Sequence, residues 1–196
     1  MKTKNTAPRE MPSLSQLEGE LHREKHRVSY RKALRSTVYT LLAVAAAAVL
    51  VSTLWLPVLK IYGSSMTPTL EEGQIVVAPK GSRFTEGDIV AFYYNNKILV
   101  KRVIAGPGDW VHIRDDGTVK VNDVVLQEPY LKEKALGECN INLPYQVPDN
   151  RYFVMGDHRA TSIDSRNTAV GCVSEEQIVG KISFCLWPFD RLGGVG

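Results

Sequence analysis

Gly63-Ser64-Ser65-Met66-Thr67-Pro68-Thr69-Leu70 divides the chain into two kinds of sequence. Before it lies a long apolar run, and after it a series of short β-rich segments. Pro68 fixes its own φ and pushes Thr67 towards an extended conformation. Ser65 is therefore expected in a short rigid loop, not inside a helix. A serine held this way can be aimed, but its hydroxyl is a poor nucleophile until a base takes its proton. By themselves Ser and Thr beside Pro are ordinary turn residues. The sequence on either side decides between the two readings.

Upstream, Ser36 to Leu59 contains no charged residue, and Leu41 to Val51 is uniformly apolar. These 24 residues would run about 36 Å as a helix, against a hydrocarbon core of roughly 30 Å. Tyr39 and Trp55 suit the two interfaces. A soluble core helix is rarely apolar all round for this length. The preceding segment is far longer than the basic region of a cleaved signal peptide. A retained transmembrane helix over 36–59 is expected. The residues before it, 1–35, read as a largely disordered tail. It is polar to about residue 20, with Pro8, Pro12 and Gly19, then basic through Arg23, Lys25, Arg27, Arg31, Lys32 and Arg35. His22 and His26 read as solvated surface. The positive-inside rule puts this tail in the cytoplasm and residues 60–196 on the far side. Ser65 would then lie within a few residues of the outer membrane surface, where its substrate must present itself.

The whole chain has 196 residues and a formal charge of +3, with the excess base before Leu41. That balance gives no warrant for a nucleic-acid partner. The three cysteines, Cys139, Cys172 and Cys185, form no CxxC and no metal-ligand spacing with His. No metal and no cofactor are expected, and at most one internal disulfide.

Downstream, strands are expected at Gln74–Ala78, Asp88–Tyr94, Lys97–Ala105, Trp110–Arg114, Thr118–Val121, Val124–Leu126, Arg151–Met155 and Ile178–Trp187. Gly180 is a candidate bulge, Ser174 to Gln177 a helical turn, and Glu128 to Pro148 irregular. The fold class expected is mainly β: one N-terminal transmembrane helix, then an antiparallel, partly open β-barrel-like catalytic domain.

Two segments carry further chemistry. In Ile98-Leu99-Val100-Lys101-Arg102-Val103-Ile104 the side chains alternate faces, so at least one cation sits among apolar neighbours. Desolvation disfavours an ammonium, and a neutral lysine can act as a general base where arginine cannot. An edge-strand lysine that blocks aggregation is the plainer alternative. Gly156-Asp157-His158-Arg159-Ala160-Thr161-Ser162-Ile163-Asp164-Ser165-Arg166 crowds charges and hydroxyls directly after an apolar strand. That fits a buttress of Asp–Arg pairs in which a serine orients a neighbour.

These segments resemble the type I signal peptidases, membrane-anchored serine proteases with a Ser/Lys dyad. The similar blocks occur in order: Ser65 to Leu70, Gly87-Asp88-Ile89-Val90, Lys101 to Asp109, and Gly156 to Arg166. The resemblance spans about residues 36 to 190. It implies Ser65 as nucleophile and Lys101 as general base, with Ser162 hydrogen-bonded to Lys101. It further implies that Asp164 pairs with Arg166, that Asp157 assists, and that Gly156 permits close approach to the lysine. The Ser65 N–H would form part of an oxyanion hole. Gly63 stands where some members carry a serine that adds a second donor, and Ser64 is the neighbouring hydroxyl. Met66 would wall a substrate pocket, with Ser64 and Gly63 as further substrate-binding residues. The implied partners are signal peptides of exported preproteins and the lipid bilayer. His158 stands where the block usually has Asn, which leaves a Ser65–His158–Asp triad as a rival. A self-cleaving repressor-type protease and an inactive membrane-anchored binding module are the remaining alternatives. The apolar span argues against the first, and intact Ser65, Lys101 and Ser162 against the second.

Overall fold

The structure is a computed structural model that describes residues 13–195. It divides into two compact units, 1–50 and 51–196. α1 begins at Leu14 and continues as one helix to Trp55, so its last five residues belong to the second unit. The Ser13 carbonyl accepts the Leu17 N–H at 3.0 Å, which closes the first turn. Within the uncharged part, Thr37 and Thr40 donate their hydroxyls to the carbonyls of Ala33 and Ser36, each at 3.0 Å. Such bonds remove polar groups from competition inside an apolar span. This is one helix long and apolar enough to cross a membrane.

Two boundaries differ from the sequence expectation. Residues 14–35, expected as largely disordered tail, are helical. Good helix formers (Leu, Glu, Arg, Lys, Ala) fill that stretch, and the apolar helix that follows supplies a nucleus from which it extends. Residues 1–12 of the expected tail lie outside the described residues. At the other end the helix stops at Trp55, not Leu59. Pro57 disfavours a helical Leu56, and the next three residues form a strand.

The second unit is built from antiparallel strands. In chain order they are β1 (Val58–Lys60), β2 (Ile75–Val77), β3 (Ile89–Tyr94), β4 (Lys97–Ala105), β5 (Trp110–Ile113), β6 (Val119–Val121) and β7 (Val124–Val125). They continue with β8 (Tyr145–Gln146), β9 (Arg151–Met155), β10 (Val173–Ser174), β11 (Ile178–Lys181), β12 (Phe184–Trp187) and β13 (Gly193–Gly194). Three sheets result, ordered β1-β2-β12-β13, β10-β9-β4-β3-β11 and β7-β6-β5-β8. The expected strand Ile178–Trp187 is thus two strands in two sheets. Between them the Ile182 N–H reaches the Ile89 carbonyl and the Ser183 N–H reaches the Val77 carbonyl, at 2.8 and 3.0 Å. One continuous stretch therefore joins both sheets and curls them into an open half-barrel. Gly180 does mark a bulge: β11 slips register against β3 there, and a Cβ would collide with the Pro79 carbonyl.

β3 shows why this sequence folds so. Ile89 and Ala91 pack with Ile61, Met66, Leu70 and Val76, while Val90 and Phe92 pack with Val103 and Val154. All four are buried, so β3 is covered on both faces and reads as an unbroken apolar run. The third cluster lies under β5 and β6, around Val111, Val119 and Phe153. All three cysteines are free thiols.

Candidate active site

Ser65 lies in a turn held by its own backbone and by two buried anchors. The Thr67 N–H bonds the Ser64 carbonyl at 3.1 Å, and the Leu70 N–H bonds the Met66 carbonyl at 2.9 Å. Met66 and Leu70 are buried in the first core cluster. Gly63 enters the turn at φ +77, the left-handed region that glycine adopts without strain. The Thr67–Pro68 peptide is cis.

Lys101 comes from the middle of β4, opposite Val90 of β3. Its Nζ stands 2.6 Å from Ser65 Oγ. The lysine is buried. Burial pushes its ammonium down from the usual 10.5 to about 8. The Asp164 carboxylate opposes that shift, the Arg166 cation adds to it, and Asp157 opposes it again. This is the balance needed for a base that is partly neutral near neutral pH.

The loop after β9 closes around this pair. Asp164 and Arg166 form a fully buried bidentate pair, Nε to Oδ1 and Nη2 to Oδ2, both at 2.8 Å. Burial alone would raise the Asp164 pKa. The Arg166 hydrogen bonds and charge, with a Gly156 N–H, hold it below the ordinary carboxylate value. Arg166 also donates to the carbonyls of Leu136, Arg159 and Ser162. A Cβ on Gly156 would lie 2.5 Å from the Ser65 carbonyl oxygen and collide with Ser162 Oγ. Only glycine lets the loop approach Ser65 this closely.

Two placements differ from the expectation, those of Ser162 and Ser64. Ser162 is buried, but its hydroxyl has no hydrogen-bond partner, so the expected bond to Lys101 is not formed. Asp157 pairs with Arg102, at 2.9 and 2.7 Å, and accepts from Thr69. Ser64 is exposed and lies outside the cavity beside Ser65, whereas Gly63 and Met66 line it. That cavity has a volume of about 650 Å³ and runs along 58–63 on one side and 97–101 on the other, ending at Ser65 and Lys101.

Signal peptidase, peptidase S26, is the description of the family whose sequence pattern matches residues 34–187. The chain belongs to the signal peptidase family. Signal peptidase I U of Bacillus subtilis (strain 168) is 33% identical over 180 residues, 84% of this chain and 95% of that one. Signal peptidase IB of Staphylococcus aureus (strain COL) is 39% identical over 151 residues, 67% and 78% of the two chains. A crystal structure of a signal peptidase I from Enterococcus faecalis V583 is 31% identical, with a TM-score of 0.45, covering 52% of this chain and 98% of that one.

Around this signal peptidase site lie residues that the sequence did not single out. Glu128 forms a buried ion pair with Arg159 and accepts from the Tyr130 hydroxyl at 3.2 Å. Arg102 stacks on the Tyr130 ring, 3.8 Å from its centroid. The segment after β7 is thereby tied to both β4 and the Gly156–Arg166 loop. Burial, and then the Glu128 charge, push the Tyr130 hydroxyl pKa upward, so it stays a donor. The one available signal was the need for a partner for Arg102, a second cation beside Lys101 on a largely apolar strand. His158 does not point its ring at Ser65: Nδ1 lies 3.4 Å from Thr67 Oγ1. Among the described residues no group of three His, Cys, Asp or Glu side chains gathers to hold a metal.

Proposed function

We propose that this chain is a membrane-bound serine endopeptidase that removes signal peptides from exported preproteins with a Ser65–Lys101 dyad. The observation that carries the reading is the 2.6 Å contact between Ser65 Oγ and a buried lysine whose pKa falls to about 8. Family membership supports the reaction class.

Neutral Lys101 takes the Ser65 proton as Oγ attacks the scissile carbonyl carbon. In this reading the Ser65 N–H donates to the oxyanion of the tetrahedral intermediate. Lys101, now an ammonium, returns a proton to the leaving amine. Water then repeats the sequence on the acyl-enzyme. Asp164, Arg166 and Gly156 act by holding the loop against the dyad, and Ser162 lies in that loop with a hydroxyl free to bond Lys101 as charge develops.

The cavity suggests how substrate lies. β9 pairs only with the Arg102–Ala105 end of β4, which leaves residues 97–101 with one unpaired edge. β1 is likewise an edge strand. An extended peptide between them adds main-chain hydrogen bonds, and its alternate side chains enter shallow pockets beside Met66 and Ile61. Small residues fit such pockets. A preprotein held by its apolar signal helix presents its cleavage site just outside the bilayer, and Ser65 follows α1 by ten residues. The basic residues before the span orient the second unit to the outer face.

The histidine triad is disfavoured because the His158 ring meets Thr67. The deciding experiment incubates detergent-solubilised enzyme with a preprotein. Cleavage in trans is expected; self-cleavage alone would favour the repressor-type protease, and no cleavage the binding module. Ser65→Ala, Lys101→Ala and Lys101→Arg should each lower kcat by about 10⁴-fold or more, and their effects should not add. Ser162→Ala should cost less. An active Lys101→Arg would overturn the dyad, since arginine keeps its proton.

A further inference from the structure

Asp157 and His158 are consecutive, and between them they hold every second residue of the nucleophile turn. Asp157 accepts from the Thr69 hydroxyl. The His158 N–H donates to the Ser65 carbonyl at 3.0 Å, and the His158 ring meets Thr67 Oγ1 through Nδ1 at 3.4 Å. The Thr67 hydroxyl has a single proton, and it is directed to the Ser64 carbonyl at 2.8 Å. Thr67 Oγ1 is thus left as the acceptor, and the imidazole must carry its proton on Nδ1. This assignment follows from the hydrogen-bond network.

We propose that His158 is a positioning residue for Ser65, acting as an Nδ1–H donor that locks Thr67 and so fixes the turn on both sides of the nucleophile. The proposal rests on the Ser65–Lys101 reading. Its physical basis is that the Ser65 Oγ direction is set by a short turn whose one flank, Gly63, carries no side chain to hold it. The other flank is held by the relay from His158 through Thr67 to the Ser64 carbonyl. Reaction rate is steeply sensitive to such alignment. The Nδ1–H is present in both the neutral tautomer and the imidazolium, so the lock does not depend on the histidine's charge. It asks only for an N–H at that point in space. Asn offers one, because its Nδ2 hangs from Cγ as the histidine Nδ1 does. Gln carries its amide one carbon further out, and Leu carries none.

The test is steady-state and single-turnover cleavage of a preprotein by the full-length enzyme in detergent, with melting temperature measured on each variant. His158→Leu and His158→Gln should lower kcat about fivefold to tenfold at unchanged KM. The pH midpoint should stay where Lys101 sets it. His158→Asn should restore wild-type kcat. Thr67→Val should match His158→Leu, Thr67→Ser should recover, and the His158→Leu/Thr67→Val double variant should be no worse than either alone. A His158→Leu enzyme with wild-type kcat overturns the proposal, as does one altered only in KM, or a His158→Asn enzyme as slow as His158→Leu. If His158→Leu does not fold, the Thr67→Val and Thr67→Ser pair decides: equal kcat for the two overturns the lock. Ser65→Ala and Lys101→Arg assayed alongside separate the two failures. If these stay active, the dyad falls. If they are dead while His158→Leu is normal, only the positioning role falls.

Discussion

On the proposed dyad, Lys101 joins activity and stability through one proton. Burial lowers its pKa to about 8, so the neutral base is a minor form at pH 7 and the major form at pH 9. The kcat/KM profile should therefore rise with pH through a midpoint near 8. Measurement of kcat/KM from pH 6 to 10 checks this, and a flat profile would remove lysine as the base. The same shift costs stability. The unfolded lysine titrates near 10.5 and the folded one near 8. Below pH 8 both are charged and the folded state bears the whole burial penalty. Between 8 and 10.5 the unfolded state binds more protons, so stability rises with pH, and above 10.5 the penalty is gone. Lys101→Met should consequently be inactive yet more stable, by up to about 3 kcal/mol at pH 7. Denaturant titration should show that gain vanish above about pH 10.5. Ser65 and Lys101 stood out as candidates through the similar blocks in which they lie; a serine beside a proline and a lysine on an apolar strand each have a plainer reading by themselves. The pairs Arg102–Asp157 and Arg159–Glu128 were not legible in the sequence, since 55 and 31 residues separate the partners. Nothing in a single sequence indicates which distant carboxylate a buried arginine meets.

At the level of elements, the alternation of side chains and the turn residues gave most strands within a residue or two, and the helical turn at Glu175–Gln177. What alternation does not reveal is where a strand changes sheets. Residues 178–187 keep a strand-like pattern throughout, yet β11 pairs with β3 and β12 with β2. The junction depends on Gly180, packed so tightly under residues 78 and 79 that a Cβ would lie 2.9 Å from the Ala78 carbonyl oxygen and closer still to that of Pro79. Both contacts are backbone, which has little room to yield. Gly180→Ala should destabilise the second unit by about 1–3 kcal/mol, seen as a lower denaturation midpoint. Activity should fall with it, because β3 is the strand that supports Lys101. An unchanged midpoint would mean that the two sheets are joined less rigidly than these contacts imply. β1 escaped the sequence reading for a related reason. Its residues continue an apolar run, and only Pro57 distinguished the end of a helix from the start of an edge strand.

At the scale of the molecule, the helix and the catalytic unit are separate problems for the chain, and the sequence reads them with different reliability. A span without charge identifies the helix by composition alone. Its N-terminal extension over 14–35 was misread because polar, basic residues signal disorder and exposed helix alike, and continuity with a stable helix favours the second. Charge sets the expected orientation. Arg23, Lys25, Arg27, Arg31, Lys32 and Arg35 precede the span, against Glu24 in the same stretch. After it, Lys60 is followed within the next dozen residues by Glu71 and Glu72, so the basic excess near the helix ends lies wholly on the N-terminal side. Translocating those six cations through the hydrocarbon core would cost roughly 2.5–3.5 kcal/mol each on insertion scales. The catalytic unit carries no comparable cluster beside the span. Residues 60–196 are therefore expected outside, where substrates emerge. Protease added to intact protoplasts should degrade the domain after Lys60 and leave a tag at residue 1 protected until the membrane is dissolved. Replacing the six cations with Glu or Gln should erode that one-sidedness and yield a mixed population. A protected catalytic domain in the wild-type chain would place Ser65 on the side from which preproteins depart, and the proposed substrate class would fall with the orientation.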